Sequence, residues 1–303
     1  MNRSLICLLG LLYLHSPVLP QYYFSDDGHL EPELRWEAGF SLGLMNCLTD
    51  LGGQSGKGKK FLKDINWNNS RPSGGLFVTA TIHEAIAFRL ETTLGQVKAD
   101  DGILKNDQSE ARSRYRRNLH FRSQIMEASV IVEFHPLTFF QREQLPLVSP
   151  YLAAGLGYFS FNPKARLDDN WIELHPLHTE GQGFREFPGR ELYKLQQLSC
   201  PVGGGLKYEV STFIVVRLEF EYRFLFTDYL DDVSDNYIDP ALFYKYFQPS
   251  QARIAEKLAD RQRELDPFHT TTAGYRRGNP QSNDTFFSIS LKLSVVMNRR
   301  PYR

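Results

Sequence analysis

The stretch FIVVRLEFEYRFLFTDYLDD, Phe213 to Asp232, carries the clearest pattern in the chain. Side chains along a β-strand point alternately to opposite faces, so its two faces can be read separately. The apolar face is the unbroken row Ile214, Val216, Leu218, Phe220, Tyr222, Phe224 and Phe226. The opposite face carries the charges Arg217, Glu219, Glu221 and Arg223. Such a strand fits the core of a water-soluble protein poorly, because one face is entirely hydrophobic and the other is charged.

The composition of the whole chain supports a β-rich, exported protein. Aromatic residues make up 13% of the 303 residues, and 35 basic residues balance 35 acidic ones. The aromatic share favours strands, and the absence of basic excess disfavours nucleic-acid binding. Arg3 and the apolar run Leu5 to Leu14 predict a signal peptide over residues 1–20, which leaves a mature domain of 21–303. No later segment is apolar for 18 residues, so any membrane crossing must use strands.

Alternating runs recur along the mature chain and predict about eight strands. Short and long connections alternate between the strands, with long loops at about 50–72, 98–118, 162–194 and 228–284. This is the pattern of an all-β, up-and-down antiparallel transmembrane barrel, apolar towards lipid and polar inside, with short periplasmic turns and long outer loops. Apolar residues of the opening strand would then face lipid.

The barrel interpretation places charges in the lumen, where burial requires opposite signs to pair. The predicted lumen charges are Glu91, Glu127, Glu133, Lys207, Glu209, Arg217, Glu219, Glu221, Arg223 and Lys292. Both signs occur, so pairing is feasible. An eight-stranded barrel has an interior filled by side chains, without a wide water channel.

Two loop motifs invite an enzymatic interpretation. GGQSGKGKK, Gly52 to Lys60, resembles a phosphate-binding loop, but it lacks the Ser or Thr and the following helix, which favours a flexible basic loop. HPLHTEGQGFREF, His175 to Phe187, together with Asp168 and Asp169, is the best hydrolase candidate at the outer rim. Its spacing matches no metal or nucleophile motif, so structural hydrogen bonding is favoured.

Three further loop segments have an ordinary and a bolder interpretation. DYLDDVSDNYID, Asp228 to Asp239, is rich enough in oxygen for Ca²⁺, yet aspartates also suit turns. RSRYRR, Arg112 to Arg117, could meet lipopolysaccharide phosphates or form a solvated loop. ARIAEKLADRQREL predicts a loop helix, capped by Ser250 and stopped by Pro267, for which a solvated helix is the ordinary interpretation and a partner-docking helix the bolder one.

Taken together, these motifs give a resemblance to a known family. The segments are WEAGFSLGLMNCLTDLG, RRNLHFRSQIMEASVIVEFHPL, PYLAAGLGYFSFNPKA, LHPLHTEGQG, FTDYLDDVSDNYID and RRGNPQSNDTFFSISLKL. In this order the mature chain resembles the PorG-like outer-membrane β-barrels of Bacteroidota, which belong to the type IX protein secretion system. The terminal NRRPYR departs from the terminal aromatic that is usual in such barrels.

The resemblance implies a scaffold without catalytic residues, cofactor or metal. It implies that the barrel tethers the periplasmic ring of PorK-like lipoprotein and PorN-like proteins beneath an outer membrane that contains lipopolysaccharide. The loop motifs enter as structural or partner-contact residues: Thr179, Glu180, Gly181, Gln182, Asp228, Tyr229, Asp231, Asp232, Arg277, Gly278 and Asn279. The alternatives are a barrel for membrane integrity or small solutes, and a hydrolase at the rim.

Overall fold

Eight long antiparallel strands form the body of the protein in the computed structural model, which describes residues 29–30, 34–53, 66–82, 85–105, 112–140 and 148–301. Each strand has 12 to 15 residues. They are β1 Leu34–Leu48, β2 Arg71–Ile82, β3 Ile86–Asp100, β4 His120–Phe134, β5 Val148–Ser160, β6 Gln196–Glu209, β7 Ile214–Leu225 and β8 Thr285–Val296. These lengths exceed the nine to eleven residues that a tilted membrane strand needs.

The strands close into a barrel. Each one pairs antiparallel with the next along the chain, and β8 returns to pair with β1, so that Leu291 lies opposite Leu42. Closure leaves no barrel strand with an unpaired edge, which is what a sheet in lipid requires. The predicted fold class, an eight-stranded up-and-down antiparallel barrel, is confirmed.

The connections at the two ends of the barrel differ in size. At one end, β6 and β7 are joined by a tight turn around Ser211, and β4 leads into the short helix α2, Pro136–Phe140. The two-residue strands His29–Leu30 and Arg300–Pro301 pair with each other there. None of the helices among the described residues combines the length and the apolar character needed to cross a membrane.

At the other end, the long connections carry their own structure and pack into a folded layer, here called the cap. It contains 3-10 turns at Trp67–Asn69, Asp101–Leu104 and His175–Leu177, and a hairpin of Pro163–Leu167 with Asn170–Glu173. Its helices are α1 Arg112–Arg117, α3 Ala241–Tyr246, α4 Pro249–Ala259 and α5 Gln262–Leu265. The cap and the upper barrel share one apolar core, which includes Phe159 and Phe286 of the strands and Phe243 of α3.

The helix predicted after Ser250 differs from the observed one in three ways. Pro249 begins α4, so Ser250 lies inside the helix and is not its cap. The chain breaks at Asp260 before α5, and α4 buries Ala252, Ala255 and Leu258 in the cap core. Small alanines let the helix approach closely, although they contribute little to an apolar stripe in the sequence. The prediction of a solvated helix was wrong.

Candidate functional site

The interior of the barrel is a network of ion pairs. Among the described residues, the ion-paired side chains on the inner face of the barrel comprise equal numbers of carboxylates and cations when Arg299, just after β8, is included. The acids are Glu37, Glu91, Glu127, Glu133, Glu209, Glu219 and Glu221; the cations are Arg35, Arg89, Lys207, Arg217, Arg223, Lys292 and Arg299. Charge balance of this kind is the condition under which so much buried charge can be tolerated.

Arg89 is the hub of this network. Its guanidinium contacts Glu133, donates to both carboxylate oxygens of Glu219 at 2.8 and 3.0 Å, and lies 2.9 Å from Glu91 Oε2. Lys292 contacts Glu91 and lies 2.8 Å from Glu219 Oε1. The Tyr151 hydroxyl donates to Glu219 Oε2 at 2.7 Å. Two cations therefore hold three carboxylates in the middle of the barrel.

A second group of ion pairs lies nearer the short-turn end. Arg217 donates to Glu37 Oε2 at 2.5 Å and to Ser294 Oγ at 2.9 Å. Glu209 is shared between Arg35 at 3.1 Å and Arg299 at 3.0 Å, and Lys207 lies 3.2 Å from it. These contacts join the first strand, the last strand and the β6–β7 hairpin, so the charges also tie together the two ends of the barrel sequence.

A third group lies below the apolar core. Arg223 donates to Glu127 Oε2 at 3.0 Å, to Ser288 Oγ at 2.6 Å and lies 3.0 Å from Glu221 Oε1. Glycine at 157 leaves space for this group, because an added Cβ there would lie 2.8 Å from the Glu127 carboxylate. The lumen is consequently occupied by side chains from the short-turn end up to the aromatic layer of Phe159 and Phe286.

The structure places every sequence-derived lumen charge on the inner face, and it adds members that the sequence reasoning did not name. Arg35 and Glu37 follow from the alternation of β1, and Arg89 from that of β3. The sequence analysis did not assign Arg89 to the lumen, because it is the single charged residue in the apolar run AIAFRL. Its position on the odd-numbered face, shared with Glu91, was the available signal.

One group of carboxylates lies close enough for a metal ion among the described residues: Glu91, Glu219 and Glu221, whose oxygens lie within 4.8 Å of one another. Arg89 and Lys292 already neutralise it. The protein's own cations thus stand where a metal ion would bind. No aspartate of the Asp228–Asp239 segment belongs to such a group in the described part of the chain.

The apolar face of β7 points outward. Leu218 is 53% exposed and Phe226 is 63% exposed; Ile214 and Phe224 are also exposed, and Val216 and Phe220 are partly so. Tyr222 differs, because it is only 6% exposed. It lies against Phe224 and donates a hydrogen bond from its hydroxyl to Thr285 Oγ1 at 2.9 Å. The outer surface is therefore greasy along β7, and Tyr222 is covered by neighbouring side chains.

Replacing Leu218 with arginine is expected to destabilise the barrel by about 2–4 kcal/mol, because a charge near the bilayer midplane must be desolvated. The measurement is urea unfolding of the barrel folded into phosphatidylcholine vesicles. Phe268→Arg is the matched control, since Phe268 is 95% exposed in the cap and should tolerate a charge. Equal unfolding free energies for the wild type and Leu218→Arg would contradict a lipid-facing β7.

In the cap, Glu180 is the centre of a buried clasp. Its carboxylate accepts hydrogen bonds from the backbone N–H groups of Ser234 and Asp235, at 3.1 and 2.9 Å, and from Arg277 at 2.9 Å. Arg277 also donates to Asp232 O at 2.6 Å and to Ala259 O at 3.1 Å. These contacts join the third long connection to both ends of the fourth.

Asp232 is the second carboxylate of the clasp. It accepts from Thr179 Oγ1 at 2.5 Å and from the Tyr193 hydroxyl at 2.7 Å. Its backbone adopts the left-handed conformation with φ of 64°, where aspartate is one of the better-tolerated residues. Burial raises the pKa of Asp232 to about 6, although Arg277 and these hydroxyls lower it. The sequence motifs that contain Thr179, Asp232 and Arg277 thus meet in one place.

The arginine-rich segment supplies the third part of the clasp. RSRYRR forms helix α1, and its last residue, Arg117, donates to Asp101 at 2.8 and 3.0 Å, to Asp50 O at 2.6 Å and to Arg277 O at 2.8 Å. Asn279 N donates to the Asp50 carboxylate. All four long connections therefore converge here, and Arg117 is structural, although Arg112 and Arg116 remain exposed.

Beneath the clasp lie aspartates that face one another. Burial, together with the carboxyl groups of Asp231 and Asp50, raises the pKa of Asp228 to about 9. Burial and the neighbouring Asp50 raise the pKa of Asp231, and burial with Asp231 and Asp228 raises that of Asp284. Each of Asp231 and Asp284 does accept one backbone N–H, from Val233 and Leu230. A pKa of about 9 favours the protonated form of Asp228 at neutral pH.

The raised pKa of Asp228 predicts that the cap loses stability with increasing pH. A carboxyl whose folded pKa exceeds its unfolded value of about 4 stabilises fully below that value and loses the contribution as pH rises to about 9. We expect a loss of up to about 1.4 kcal/mol per pH unit for each proton released. This loss of cap stability is measured by hydrogen exchange of the cap at pH 6, 7.5 and 9, corrected for intrinsic exchange rates.

Asp228→Asn removes one of the titrating groups and is expected to flatten this pH dependence, so that its cap is more stable than the wild type at pH 9. Asp169→Asn is the control, because Asp169 is exposed and paired with Arg166 on the surface. A wild-type cap with equal protection at pH 6 and pH 9 would refute the assignment.

The histidines of the hydrolase candidate are engaged separately. His175 Nε2 lies 2.9 Å from Tyr193 O, whereas His178 Nδ1 contacts Gln182 O and its ring stacks on Phe184. Glu180 is bound in the clasp, and Asp169 pairs with Arg166 on the surface. The structure thus distributes these side chains over different contacts.

Several sequence-derived features lie outside the described residues. They are the signal peptide 1–20, most of the phosphate-loop-like segment and the end of the terminal NRRPYR. Among the remaining motif residues, Gly181 adopts φ of 74°, Gln182 Oε1 accepts from Glu180 N at 3.1 Å, and the Tyr229 ring stacks on Tyr193. At Gly278 an added Cβ would lie 2.7 Å from the Asp50 carboxylate, so the clasp requires glycine there.

Comparison with known proteins gives one family match and several similar folds. A family model described as a domain of unknown function, DUF6089, matches residues 68–241, more than half of the chain. No curated protein sequence matches significantly.

Three solved outer-membrane structures are similar to the chain. Ail, the attachment invasion locus protein of Yersinia pestis in complex with the heparin analogue sucrose octasulfate, is 9% identical with a TM-score of 0.35, over 88% of this chain and 100% of that one. OprG from Pseudomonas aeruginosa is 12% identical with a TM-score of 0.34, over 89% and 96%. A major outer membrane protein from Thermus thermophilus is 12% identical with a TM-score of 0.35, over 87% and 99%.

Proposed function

The chain belongs to the DUF6089 family, and from this premise we propose that it is a non-conducting β-barrel that anchors other proteins in the outer membrane. The barrel crosses the membrane with its cap outside and its short turns in the periplasm. More specifically, it serves as a tether of the type IX protein secretion machinery of Bacteroidota, beneath which PorK-like and PorN-like ring proteins assemble. The family resemblance of the loop motifs supports this specific role.

The observation that carries the anchoring function is the filled interior. Arg89 and Arg223 each hold a carboxylate from across the barrel, Arg217 holds Glu37 two strands away, and above them the aromatic core continues into the cap. Water-filled channels need wider barrels or an open lumen. An occupied lumen under a folded cap favours a structural role over passage of small solutes.

Conductance across a planar bilayer tests the first part of the proposal. We expect the purified, reconstituted protein to give no steady ion conductance at neutral pH, because its lumen charges are paired and its outer end is covered. A trimeric porin reconstituted by the same procedure is the positive control. Stepwise, persistent conductance of the wild type would overturn the non-conducting assignment.

Capture of ring proteins tests the tether. Exposed apolar side chains at the short-turn end include Leu137 and Phe139 of α2 and Phe213 of the β6–β7 turn. A tagged barrel from detergent-solubilised membranes is expected to retain PorK-like and PorN-like proteins, and a Leu137→Ser/Phe213→Ser variant to lose them. Phe268→Ser, in the cap, is the control.

Deletion of the gene separates the tether from a barrel for membrane integrity. We expect secretion of C-terminally tagged cargo to be lost and to return with the wild-type gene. Normal cargo secretion, accompanied by a leaky outer membrane, would replace the secretion role with the integrity role.

A further inference from the structure

A row of cations crosses the outward face of the barrel just above its apolar band. We propose that Lys98, Arg122 and Lys164 form a binding site for the phosphate groups of an outer-leaflet lipid. Antiparallel pairing sets Lys98 of β3 opposite Arg122 of β4, and Arg122 opposite Lys164 of the cap hairpin. Like charges directly opposite on one face destabilise a sheet unless an anion compensates them.

The strand pattern shows that the row lies on the lipid-facing side. Leu94 and Met126, which are opposite each other and exposed, end the apolar band of β3 and β4. The next outward pair is Gln96 with Gln124, and the row follows. Four residues along a strand tilted by about 40° raise it by roughly 10 Å. Long cationic side chains therefore reach the headgroup layer from this height.

The surroundings of Arg122 hold its guanidinium at the surface. Arg122 Cζ lies 3.7 Å from the centre of the Trp171 ring, and His120 packs edge-on against the same ring. Trp171 is itself partly exposed, as tryptophan is where barrels meet the headgroup layer. Stacking leaves the N–H groups of a guanidinium in its plane available for phosphate oxygens, which arginine binds in pairs.

The charges around the row have both signs, since Asp100 lies two residues beyond Lys98 on the same face of β3. In the described part of the chain, Lys98 and Arg122 form no ion pair, whereas Lys164 lies 2.8 Å from Glu173. Exposed Arg112 and Arg116 of α1 add positive charge in the connection between β3 and β4, whereas Arg166 of the hairpin is paired with Asp169. A phosphate at Lys98 and Arg122 would supply the missing anion at the opposed pair. Neither residue belongs to the clasp or the lumen.

Binding of lipid A tests the site without any secretion partner, so its failure is distinct from failure of the proposed tether. The inference does rest on the proposed orientation, with the cap outside. The purified barrel is titrated in detergent with diphosphoryl lipid A and with dephosphorylated lipid A, and bound lipid is counted by native mass spectrometry. We expect the wild type to prefer the diphosphoryl form by about tenfold.

The double variant Lys98→Gln/Arg122→Gln is expected to lose this preference. The matched control, Arg253→Gln/Lys257→Gln, removes two exposed cations from α4 and should keep it. Gln124→Lys, which adds a cation to the same face, is expected to bind diphosphoryl lipid A more tightly and does not depend on the double variant's folding.

Three results would overturn the proposal. They are equal binding of the two forms by the wild type, an unchanged preference in the double variant, and displacement of lipid A by inorganic phosphate at millimolar concentration, which would indicate a site for free phosphate. Unchanged binding by Gln124→Lys would also count against it.

Discussion

Replacing Arg89 with methionine is expected to cost the barrel about 3–5 kcal/mol of stability. The guanidinium contacts Glu91, Glu133 and Glu219, and all three carboxylates are buried. Methionine fills much of the same volume but leaves these negative charges facing one another, with Lys292 still close to Glu91 and Glu219. Removal of one partner from a buried ion pair is costly because the uncompensated charge stays desolvated.

Urea unfolding in phosphatidylcholine vesicles, followed by the shift of the folded band on unheated gels, measures this loss. Arg253→Met is the control, since Arg253 is exposed on α4 and its loss should leave the midpoint in place. The triple variant Arg89→Met/Glu133→Gln/Glu219→Gln is expected to recover part of the stability, because neutral amides need no cation. An Arg89→Met midpoint equal to that of the wild type would show that the hub contributes little.

Replacing Arg277 with methionine is expected to open the cap while leaving the barrel folded. Arg277 neutralises the fully buried Glu180 and also donates to two backbone carbonyls, Asp232 O and Ala259 O. Loss of these charge-assisted bonds should cost about 3–5 kcal/mol, confined to the cap. Hydrogen exchange in residues 226–284 should accelerate by at least about 100-fold, whereas exchange in the barrel strands should not change.

Arg185→Met serves as the control for the cap, because Arg185 is exposed in the same third connection as Glu180. Arg277→Met/Glu180→Gln tests the electrostatic cause, since removal of the unpaired charge should restore part of the protection. If Arg277→Met unfolds cap and barrel together with one transition, the cap is not a separate cooperative unit. If exchange is unchanged, the clasp does not hold the loops.

The barrel itself could be predicted from the sequence because its signal is local. Alternation with a period of two assigned Leu218 to one face and Glu219 to the other without knowledge of any neighbour. Strand lengths and the alternation of short and long connections then indicated an up-and-down barrel. The same alternation also predicts that Arg89 faces the lumen, because Arg89 lies on the odd-numbered face of β3 together with Glu91.

The partners of those charges could not be predicted, because they are separated by long stretches of chain. Glu219 lies 130 residues from Arg89, and Arg217 lies 180 residues from Glu37. The alternation along each strand predicts that these charged side chains point inward. Which of them form pairs depends on the shear and the strand order of the barrel. Likewise, RSRYRR gave no sign that Arg117 would be drawn into the clasp while Arg112 stayed in water.

The sequence by itself thus determined the inside and the outside of the barrel, since the apolar row of FIVVRLEFEYRFLF faces outward and its charges face the lumen. Only the tertiary structure decided that the four long connections form one cap, that Glu180, Asp232 and Arg277 meet in it, and that burial raises the pKa of Asp228 to about 9. The face to which a side chain points is set within a single strand. Ion pairing, burial and pKa depend instead on which distant segments of the chain pack together and exclude water.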